Sequence, residues 1–468
     1  MRWIAFAALL LISLSAIAQE GGLGADFRHE KDLVKKNCGT FAVRGIGSCA
    51  YTLFTDHPLH IAVGNIAPQN GFGFGAALVA HHTPNETWRI TWNLDAVGST
   101  SGSWRAGAYM KFIHIPVVEF TATTASTSRR ARKQKPLVHP YTVFNLYSQS
   151  ISLQKLFFFG EGPNSLRIGR SLFGMGETIV GGNVIKPVYE WSAISGLNLS
   201  LSGEINGRFV DIRSKLGETS PSIEQLYSEA SAPGLATQPG FIQFGEGVRI
   251  KPDLFQDHLR LNYFFNFQQF VAPSDSRYSF RRWSLILDHE FPIYRTIQPV
   301  VTRDTNGPDD CALSVDTPKC PGASRNRYGT VGLRFGISES FAGANSTVPF
   351  YFQPTLGGSD INGTPSLSSF DDYRFRGPDL ILLRESFEHS IWGPFGFTFM
   401  ADQGKVALRR DDVDFNNLKH SFAVGLSLRG GGFPAVFLLF AFGGGETHHT
   451  IANVSTTLLG GSSRPSLF

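Results

Sequence analysis

The sequence has few charged residues, few methionines and no long apolar run beyond its first residues. Asp, Glu, Lys and Arg make up 17% of the 468 residues, and Met occurs 4 times. A helix that spans a membrane needs about 20 consecutive apolar residues, so the sequence excludes a helical membrane protein. The net charge of +4 is small for this length and no basic stripe interleaves with stacking aromatics, so we expect no nucleic-acid partner.

Motifs of catalysis and cofactor binding are also missing. The sequence has no Gly-x-Ser-x-Gly elbow and no His-Glu-x-x-His. The pairs His81-His82 and His448-His449 are better explained as residues near strand ends than as metal ligands or part of a lipase site. Neighbouring side chains of a strand point to opposite faces, so they cannot converge on one ligand. The Gly-rich runs 430–432 and 443–445 precede no helix, so they predict turns rather than phosphate cradles. We expect no enzyme activity, no metal and no cofactor.

The first residues have the features of a secretory signal peptide. Arg2 supplies a positive charge, residues 4–17 are apolar, and Ala16-Ile17-Ala18 is a small-residue cleavage pattern. The apolar stretch is shorter than a spanning helix. We therefore predict a signal peptide at residues 1–18, cleaved after Ala18.

Four cysteines form two close pairs in this exported chain. Cys38 lies near Cys49, and Cys311 lies near Cys320. The spacing lacks the Cys-x-x-Cys units of a zinc site. Two local disulfides, Cys38–Cys49 and Cys311–Cys320, are predicted.

Apolar and polar residues alternate along most of the chain, as in the segment 88–96. This period of two predicts amphipathic strands. A soluble antiparallel sandwich also alternates, but these strands approach the 9 to 11 residues of spanning strands. Their polar face carries Arg, Glu, Asp and Asn, which suits a water-filled lumen. Backbone groups in hydrocarbon must pair within the protein, so the sheet must close. The prediction is an all-β fold, a transmembrane antiparallel β-barrel in contact with bacterial outer-membrane lipid.

Sixteen strands are predicted between residues 58 and 468. They lie near residues 58–66, 71–80, 88–97, 104–116, 140–158, 176–190, 197–210, 241–251, 258–270, 278–291, 328–338, 379–391, 395–407, 419–429, 434–443 and 447–458. An even count places both ends of the barrel in the periplasm. The segment 339–378 is then the longest external loop. Residues 19–57 form a short periplasmic segment ahead of the barrel, either a small plug stapled by its disulfide or a disordered leader.

Three segments of the sequence resemble the BamA/TamA-type barrel superfamily, including the bacterial surface antigen family. They are residues 348–358, residues 373–377 and residues 399–406, and residues 158–165 resemble a further segment of surface-antigen barrels. In that superfamily a Gly-Gly segment leads into a long loop with a Val-Arg-Gly-aromatic motif. Here the motif is Phe375-Arg376-Gly377-Pro378, so Phe replaces Val and Pro replaces the aromatic residue.

The resemblance implies that the long loop folds into the lumen, with Arg376 paired to Asp402. It also implies periplasmic POTRA domains ahead of the barrel, but the short segment 19–57 departs from that pattern, so a separate POTRA-bearing protein is a possible partner. The implied function is translocation or insertion of protein substrates, such as unfolded outer-membrane proteins, through a seam between the first and last strands. A passive pore, scaffold or surface antigen is the alternative.

Overall fold

The computed structural model describes most of the barrel region. The described residues are 59–85, 87–115, 141–191, 197–215, 220–255, 258–297, 324–392, 395–428, 436–446, 448–454 and 465–467, with residues 32, 35 and 36. The predicted signal peptide, nearly all of residues 19–57 and the four cysteines lie outside them. Cleavage after Ala18 and both disulfides therefore stay predictions.

The described residues are almost entirely β-strand. The strands are β1 (Leu59–Asn65), β2 (Phe72–Asn85), β3 (Trp88–Ser99), β4 (Trp104–His114), β5 (Thr142–Phe158), β6 (Ser171–Trp191), β7 (Leu197–Ser214), β8 (Phe241–Lys251), β9 (Asp253–Leu254), β10 (Leu259–Val271), β11 (Phe280–Ile297), β12 (Ser324–Ala342), β13 (Thr355–Leu356), β14 (Phe375–Arg376), β15 (Asp379–Trp392), β16 (Phe395–Ala407), β17 (Lys419–Leu428), β18 (Val436–Phe442) and β19 (His449–Val454). Short helical turns occupy Arg167–Gly169, Ile223–Leu226, Ser276–Tyr278, Phe350–Phe352 and Arg410–Asp412.

Sixteen of these strands form one antiparallel meander within the described residues. Each long strand pairs with the next along the chain, from β1 with β2 to β18 with β19. The two-residue β9 continues β8 beyond Pro252 on the same partner, β10. At the end of the series β19 lies beside β1. The predicted sixteen-strand barrel is confirmed, and the place where β1 meets β19 is called the seam below.

The two faces of the wall have the reverse polarity of a soluble protein. In β3, Asn93 is completely buried while its neighbour Leu94 is 49% exposed. In β7, Asn206 is 1% exposed and Ile205 is 54% exposed. Other outward apolar side chains of the wall are Leu201, Phe209, Ile242, Phe244, Leu426, Leu438 and Phe440. An apolar exterior around a polar interior is the arrangement of a barrel that spans a membrane.

Two strands of the wall extend beyond the predicted segments. β6 begins at Ser171, five residues before the predicted start, and β12 runs from Ser324 to Ala342. The extra residues of β6, 171–175, are all buried, so they lack the alternation between an apolar and a polar face on which the prediction rests. Backbone ladders continue there because their hydrogen bonds do not depend on side-chain polarity.

The main apolar core lies inside the barrel rather than between two layers. It contains Leu156, Phe158, Phe173 and Phe241 from the walls, together with Phe350 and Phe352 from the long connection between β12 and β15. This connection, residues 343–378, is called the lumen loop below. Its burial confirms the prediction that the longest external loop folds into the barrel.

Candidate functional site

The lumen loop enters the barrel through three consecutive aromatic residues, Phe350–Phe352. The Phe350 ring contacts Phe158 and Phe173 edge-on, with centroids 5.2 and 5.3 Å apart. The Phe352 ring meets Phe241 at 4.8 Å in the same geometry. Edge-to-face aromatic pairs add to the stabilisation from area burial, so these contacts fix the loop against the part of the wall formed by β5, β6 and β8.

A short ribbon within the loop depends on the Gly-Gly segment seen in the sequence. β13 pairs with β14, and the backbone at Gly357 and Gly358 has φ angles of 110° and 57°. A Cβ atom on Gly357 would lie 2.4 Å from the Cβ of Arg374, and one on Gly358 would lie 2.3 Å from an oxygen of Asp372. Only glycine allows both the positive φ and this close approach.

Arg376 is held inside the loop by backbone carbonyls. Its Nη1 donates to the carbonyl oxygen of Phe350 at 2.7 Å and to that of Gln353 at 3.4 Å. The guanidinium also lies over the Phe158 and Phe350 rings, at 5.9 and 5.8 Å. Burial lowers the pKa of Arg376 to about 10, and nearby Glu161 opposes this effect. The side chain therefore stays protonated at neutral pH.

The second segment noted in the sequence, residues 158–165, lies against Arg376. Gly162 N–H donates to the carbonyl oxygen of Arg376 at 2.7 Å. Gln353 Nε2 donates to Glu161 Oε1 at 2.6 Å. Burial raises the pKa of Glu161, while the Gln353 hydrogen bond and the Arg376 charge act in the opposite direction. Two sequence segments about 200 residues apart thus form one site.

The predicted ion pair between Arg376 and Asp402 is not formed. Asp402 instead pairs with Arg384, with Nε to Oδ1 at 2.7 Å. The two residues are direct cross-strand partners on β15 and β16. The strand register places Asp402 directly opposite Arg384 on the inner face of the wall. Asp402 therefore pairs with this cross-strand neighbour rather than with Arg376 of the loop. The alternation of β15 could have identified Arg384 once the register was known.

Asp402 still fixes the lumen loop, but through the loop backbone. Leu367 N–H donates to Asp402 Oδ2 at 2.9 Å. Arg384 Nη2 also donates to the carbonyl oxygen of Pro365. The Arg384–Asp402 pair therefore binds one donor and one acceptor of the loop main chain.

The other two residues of the predicted motif make close contacts. Phe375 is buried and packs edge-on against Phe370 at 5.1 Å. A Cβ atom on Gly377 would lie 2.8 Å from the carbonyl oxygen of Ala407 on β16. Because Gly377 has no Cβ atom, the loop backbone can pack directly against β16 at the point where it leaves the lumen.

Four consecutive loop residues, Asp371 to Arg374, reach the seam at the end of the barrel where the β1–β2 and β18–β19 connections lie. They are called the latch below. Asp372 Oδ2 accepts from Gln69 Nε2 at 2.6 Å, and the Tyr373 hydroxyl donates to the Pro68 carbonyl oxygen at 3.1 Å. Both partners lie in the connection between β1 and β2. These two contacts join the latch to the β1 side of the seam.

The remaining two latch residues contact the β19 side. Arg374 pairs with Glu446, in the connection between β18 and β19, with a shortest distance of 2.8 Å. Asp371 Oδ1 lies 3.7 Å from Nε2 of His449, the first residue of β19. The sequence does not reveal the latch, because nothing in residues 371–374 indicates which loops they meet.

The backbone at the latch is strained. Tyr373 has a φ of 60° and Gln69 has a φ of 66°, a region that side-chain-bearing residues rarely adopt. Tyr373 N–H donates to the carbonyl oxygen of Gly357 at 3.1 Å, which holds this conformation. Strained residues persist only where their surroundings fix them and often lie at functional sites.

No group of three or more His, Cys, Asp or Glu side chains that could hold a metal occurs among the described residues. Where the chain is described, it also contains no helix with the length and apolar character to cross a membrane. The fold and site together define a membrane β-barrel whose lumen is filled by one of its own loops.

Comparison with known proteins finds similarity among solved structures. No protein-family model and no curated protein matches the chain. It is similar to CdiB from Acinetobacter baumannii (TM-score 0.46, 10% identity, 84% of this chain and 58% of that chain). It is also similar to CdiB from Escherichia coli (0.49, 12%, 86% and 61%). A third similar structure is BamA from Haemophilus ducreyi lacking POTRA domains 1–3 (0.45, 8%, 85% and 69%). The chain spans about 58 to 61% of the two CdiB chains.

Proposed function

We propose that this protein is an outer-membrane barrel that translocates or inserts polypeptides by opening the seam between β1 and β19. The observation that carries the proposal is the latch, whose four consecutive residues bind both sides of the seam. Asp372 and Tyr373 hold the β1 side, while Asp371 and Arg374 hold the β19 side. A loop with this connection controls whether the two strands separate.

The chemistry of the latch suits reversible opening. Its contacts are hydrogen bonds and ion pairs at the external rim, where Gln69 and Asp372 form an exposed pair. An exposed polar contact such as Gln69–Asp372 contributes about 1 kcal/mol or less. Tyr373 and Arg374 are buried, so release of the latch also requires this part of the loop to move and admit water, while the hydrogen-bonded wall stays folded. Backbone groups freed on the edges of β1 and β19 can then pair with an incoming extended segment.

The substrates that fit this mechanism are unfolded polypeptides with strand-forming segments, including other outer-membrane proteins. Lipid surrounds the seam, because apolar side chains such as Leu438 and Phe440 on β18 face outward. A separate POTRA-bearing protein is a proposed partner on the periplasmic side.

A passive barrel is the second candidate, and one observation favours it. Phe350, Phe352 and Arg376 fill the lumen with buried contacts rather than leaving an open channel. A scaffold or surface antigen does not need an open channel, so a filled lumen is compatible with that role.

Locking both sides of the latch tests the proposal. Gln69→Cys with Asp372→Cys joins the loop to the β1 side, and Arg374→Cys with Glu446→Cys joins it to the β19 side. Each pair is bridged by a bifunctional methanethiosulfonate reagent, because the native contacts lie between the ends of long side chains and a direct disulfide needs closer backbones. The background has its four native cysteines replaced by serine. Cells that carry each variant as the only copy are treated with this reagent, and the protein content of their outer membranes is measured by mass spectrometry.

We expect the doubly locked barrel to lose its effect on outer-membrane content and to regain it on reduction. Each single lock is the matched control and should keep most of the activity, because one side can still separate from the loop. A doubly locked barrel that keeps its full effect would refute opening at the seam, and outer-membrane content that does not change when the barrel is removed would favour the passive candidate.

A further inference from the structure

The last described residues of the chain, Pro465 to Leu467, lie inside the barrel against the lumen loop. They are called the tail segment. Leu467 is buried in the same apolar cluster as Ile361 of the loop and Phe241 of the wall. The tail segment therefore occupies part of the lumen interior, whereas the sequence alone placed it beyond the last strand.

Asn362, at the tip of the lumen loop, makes two hydrogen bonds to the tail segment, one as acceptor and one as donor. Its Oδ1 accepts from the Leu467 backbone N–H at 2.8 Å, and its Nδ2 donates to the Ser466 hydroxyl at 3.3 Å. An Asn amide offers one acceptor and two donors in one plane. Here its acceptor binds a main-chain N–H, as a neighbouring strand would, and its donor binds a side-chain hydroxyl.

Arg208 binds the tail segment from the wall. Its Nη2 donates to the carbonyl oxygen of Ser466 at 2.9 Å, and its Nη1 donates to Glu177 Oε1 at 2.7 Å. Both Arg208 and Glu177 are buried. The ion pair fixes the guanidinium so that one of its donors points at a peptide carbonyl.

The surrounding wall supports this arrangement. Asn206 receives a hydrogen bond from the Tyr147 hydroxyl at 2.7 Å and donates to Gln243 Oε1 at 3.2 Å. Gln243 in turn donates to Glu204 at 2.8 Å. A network of satisfied buried polar groups holds its members rigidly, so the site is preorganised.

We infer that Arg208, Asn362 and the apolar pocket provided by the cluster that contains Ile361 and Phe241 form a luminal binding site for an extended peptide, with the tail segment as its resident occupant. The main-chain contacts tolerate many sequences, and the pocket selects a large apolar side chain at the position of Leu467. This inference rests on the proposed function for its biological meaning: a polypeptide that passes through the lumen displaces the tail segment from this site.

A peptide-binding assay on the purified barrel tests the inference without any cellular substrate. The probe is a fluorescent peptide with the sequence of residues 460–468, Gly-Gly-Ser-Ser-Arg-Pro-Ser-Leu-Phe. Its anisotropy is measured against the full chain and against a chain that ends at Arg464. We expect at least tenfold tighter binding to the shortened chain, because its site is vacant.

Two matched changes identify the site. Leu467→Asp in the peptide should weaken binding at least tenfold, since a carboxylate cannot enter an apolar pocket. Asn362→Ala in the shortened barrel should weaken it several-fold without disturbing the wall, because Asn362 is exposed at the loop tip. Peptide binding that is equal for both barrels, or insensitive to both changes, would overturn the inference. Because the assay needs no activity, its result is separate from that of the latch experiment.

Discussion

Arg384 and Asp402 form a buried ion pair that fixes the lumen loop to the wall, with Nε and Oδ1 2.7 Å apart. The pair also binds the backbone of Leu367 and Pro365. Breaking a buried pair leaves an uncompensated charge, which costs about 3 to 5 kcal/mol. We expect Asp402→Ala to lower the free energy of unfolding by about 3 kcal/mol.

A double-mutant cycle with Arg384→Ala checks this value by guanidinium unfolding in detergent. The double variant should lose less than the sum of the two single variants, because the second change removes the orphaned charge. Arg334→Ala is the matched control, since Arg334 forms a partly exposed pair with Asp288 on neighbouring strands. Arg334→Ala should lower the free energy of unfolding by less than about 1 kcal/mol. Additive losses at Arg384 and Asp402 would show that they do not act together.

Gly357→Ala should disrupt the lumen loop. The new Cβ would lie 2.4 Å from the Cβ of Arg374 and 2.8 Å from the carbonyl oxygen of Asp371, in addition to the strain of a φ of 110°. Gly363→Ala is the control, because Gly363 also has a positive φ but meets no atom within 4 Å. We expect Gly363→Ala to lower the free energy of unfolding by about 1 kcal/mol through backbone strain alone. Gly357→Ala should lower it by at least twice as much. Equal losses in thermal unfolding would contradict the role of the close approach.

Arg376→Met should loosen the loop by removing the hydrogen bonds to Phe350 and Gln353. A hydrogen bond from a charged group contributes about 1.5 to 3 kcal/mol, so we expect a stability loss of about 2 kcal/mol. Hydrogen exchange of residues 350–358 should rise. Arg376→Lys should behave similarly, because a single ammonium does not reproduce the planar guanidinium over the Phe158 ring. Unchanged exchange in both variants would contradict this prediction.

The tip of the lumen loop should be less stable at neutral pH than at acid pH. Burial raises the pKa of Asp360 from 3.8 to about 6, although the backbone N–H groups of Asn362 and Thr364 and the charge of Arg384 favour its ionised form. Burial raises the pKa of Tyr373 well above its usual value, and the charges of Asp372 and Asp360 act in the same direction. The folded state binds the Asp360 proton more tightly than the unfolded state. Proton binding at Asp360 therefore stabilises the folded state fully below pH 3.8, and this stabilisation is lost as pH rises through 6.

Asp360→Asn isolates this contribution. Between pH 4 and pH 7 the native protein should lose up to about 3 kcal/mol more than the Asp360→Asn variant, since each unit of pKa shift corresponds to about 1.4 kcal/mol. Guanidinium unfolding at the two pH values measures the difference. Parallel pH profiles for the two proteins would refute the assignment to Asp360.

The sequence by itself determined the positions and faces of the strands. Alternation with a period of two is local, and the thickness of a bilayer sets how long each strand must be. Segments such as 241–251 and 395–407 were therefore predicted with the bounds that the structure has. The sequence marked Gly357-Gly358 only through its resemblance to the Gly-Gly segment of the superfamily, and the structure shows the positive φ angles that need glycine there.

Only the tertiary structure decided which distant side chains meet inside the barrel. Gln69 and Asp372 are 303 residues apart, and Arg208 and Ser466 are 258 apart. The pairing of Asp402 with Arg384 rather than Arg376 depended on the register between β15 and β16. A shift of one residue moves every side chain to the other face, so loop contacts are fixed only when the whole barrel has assembled.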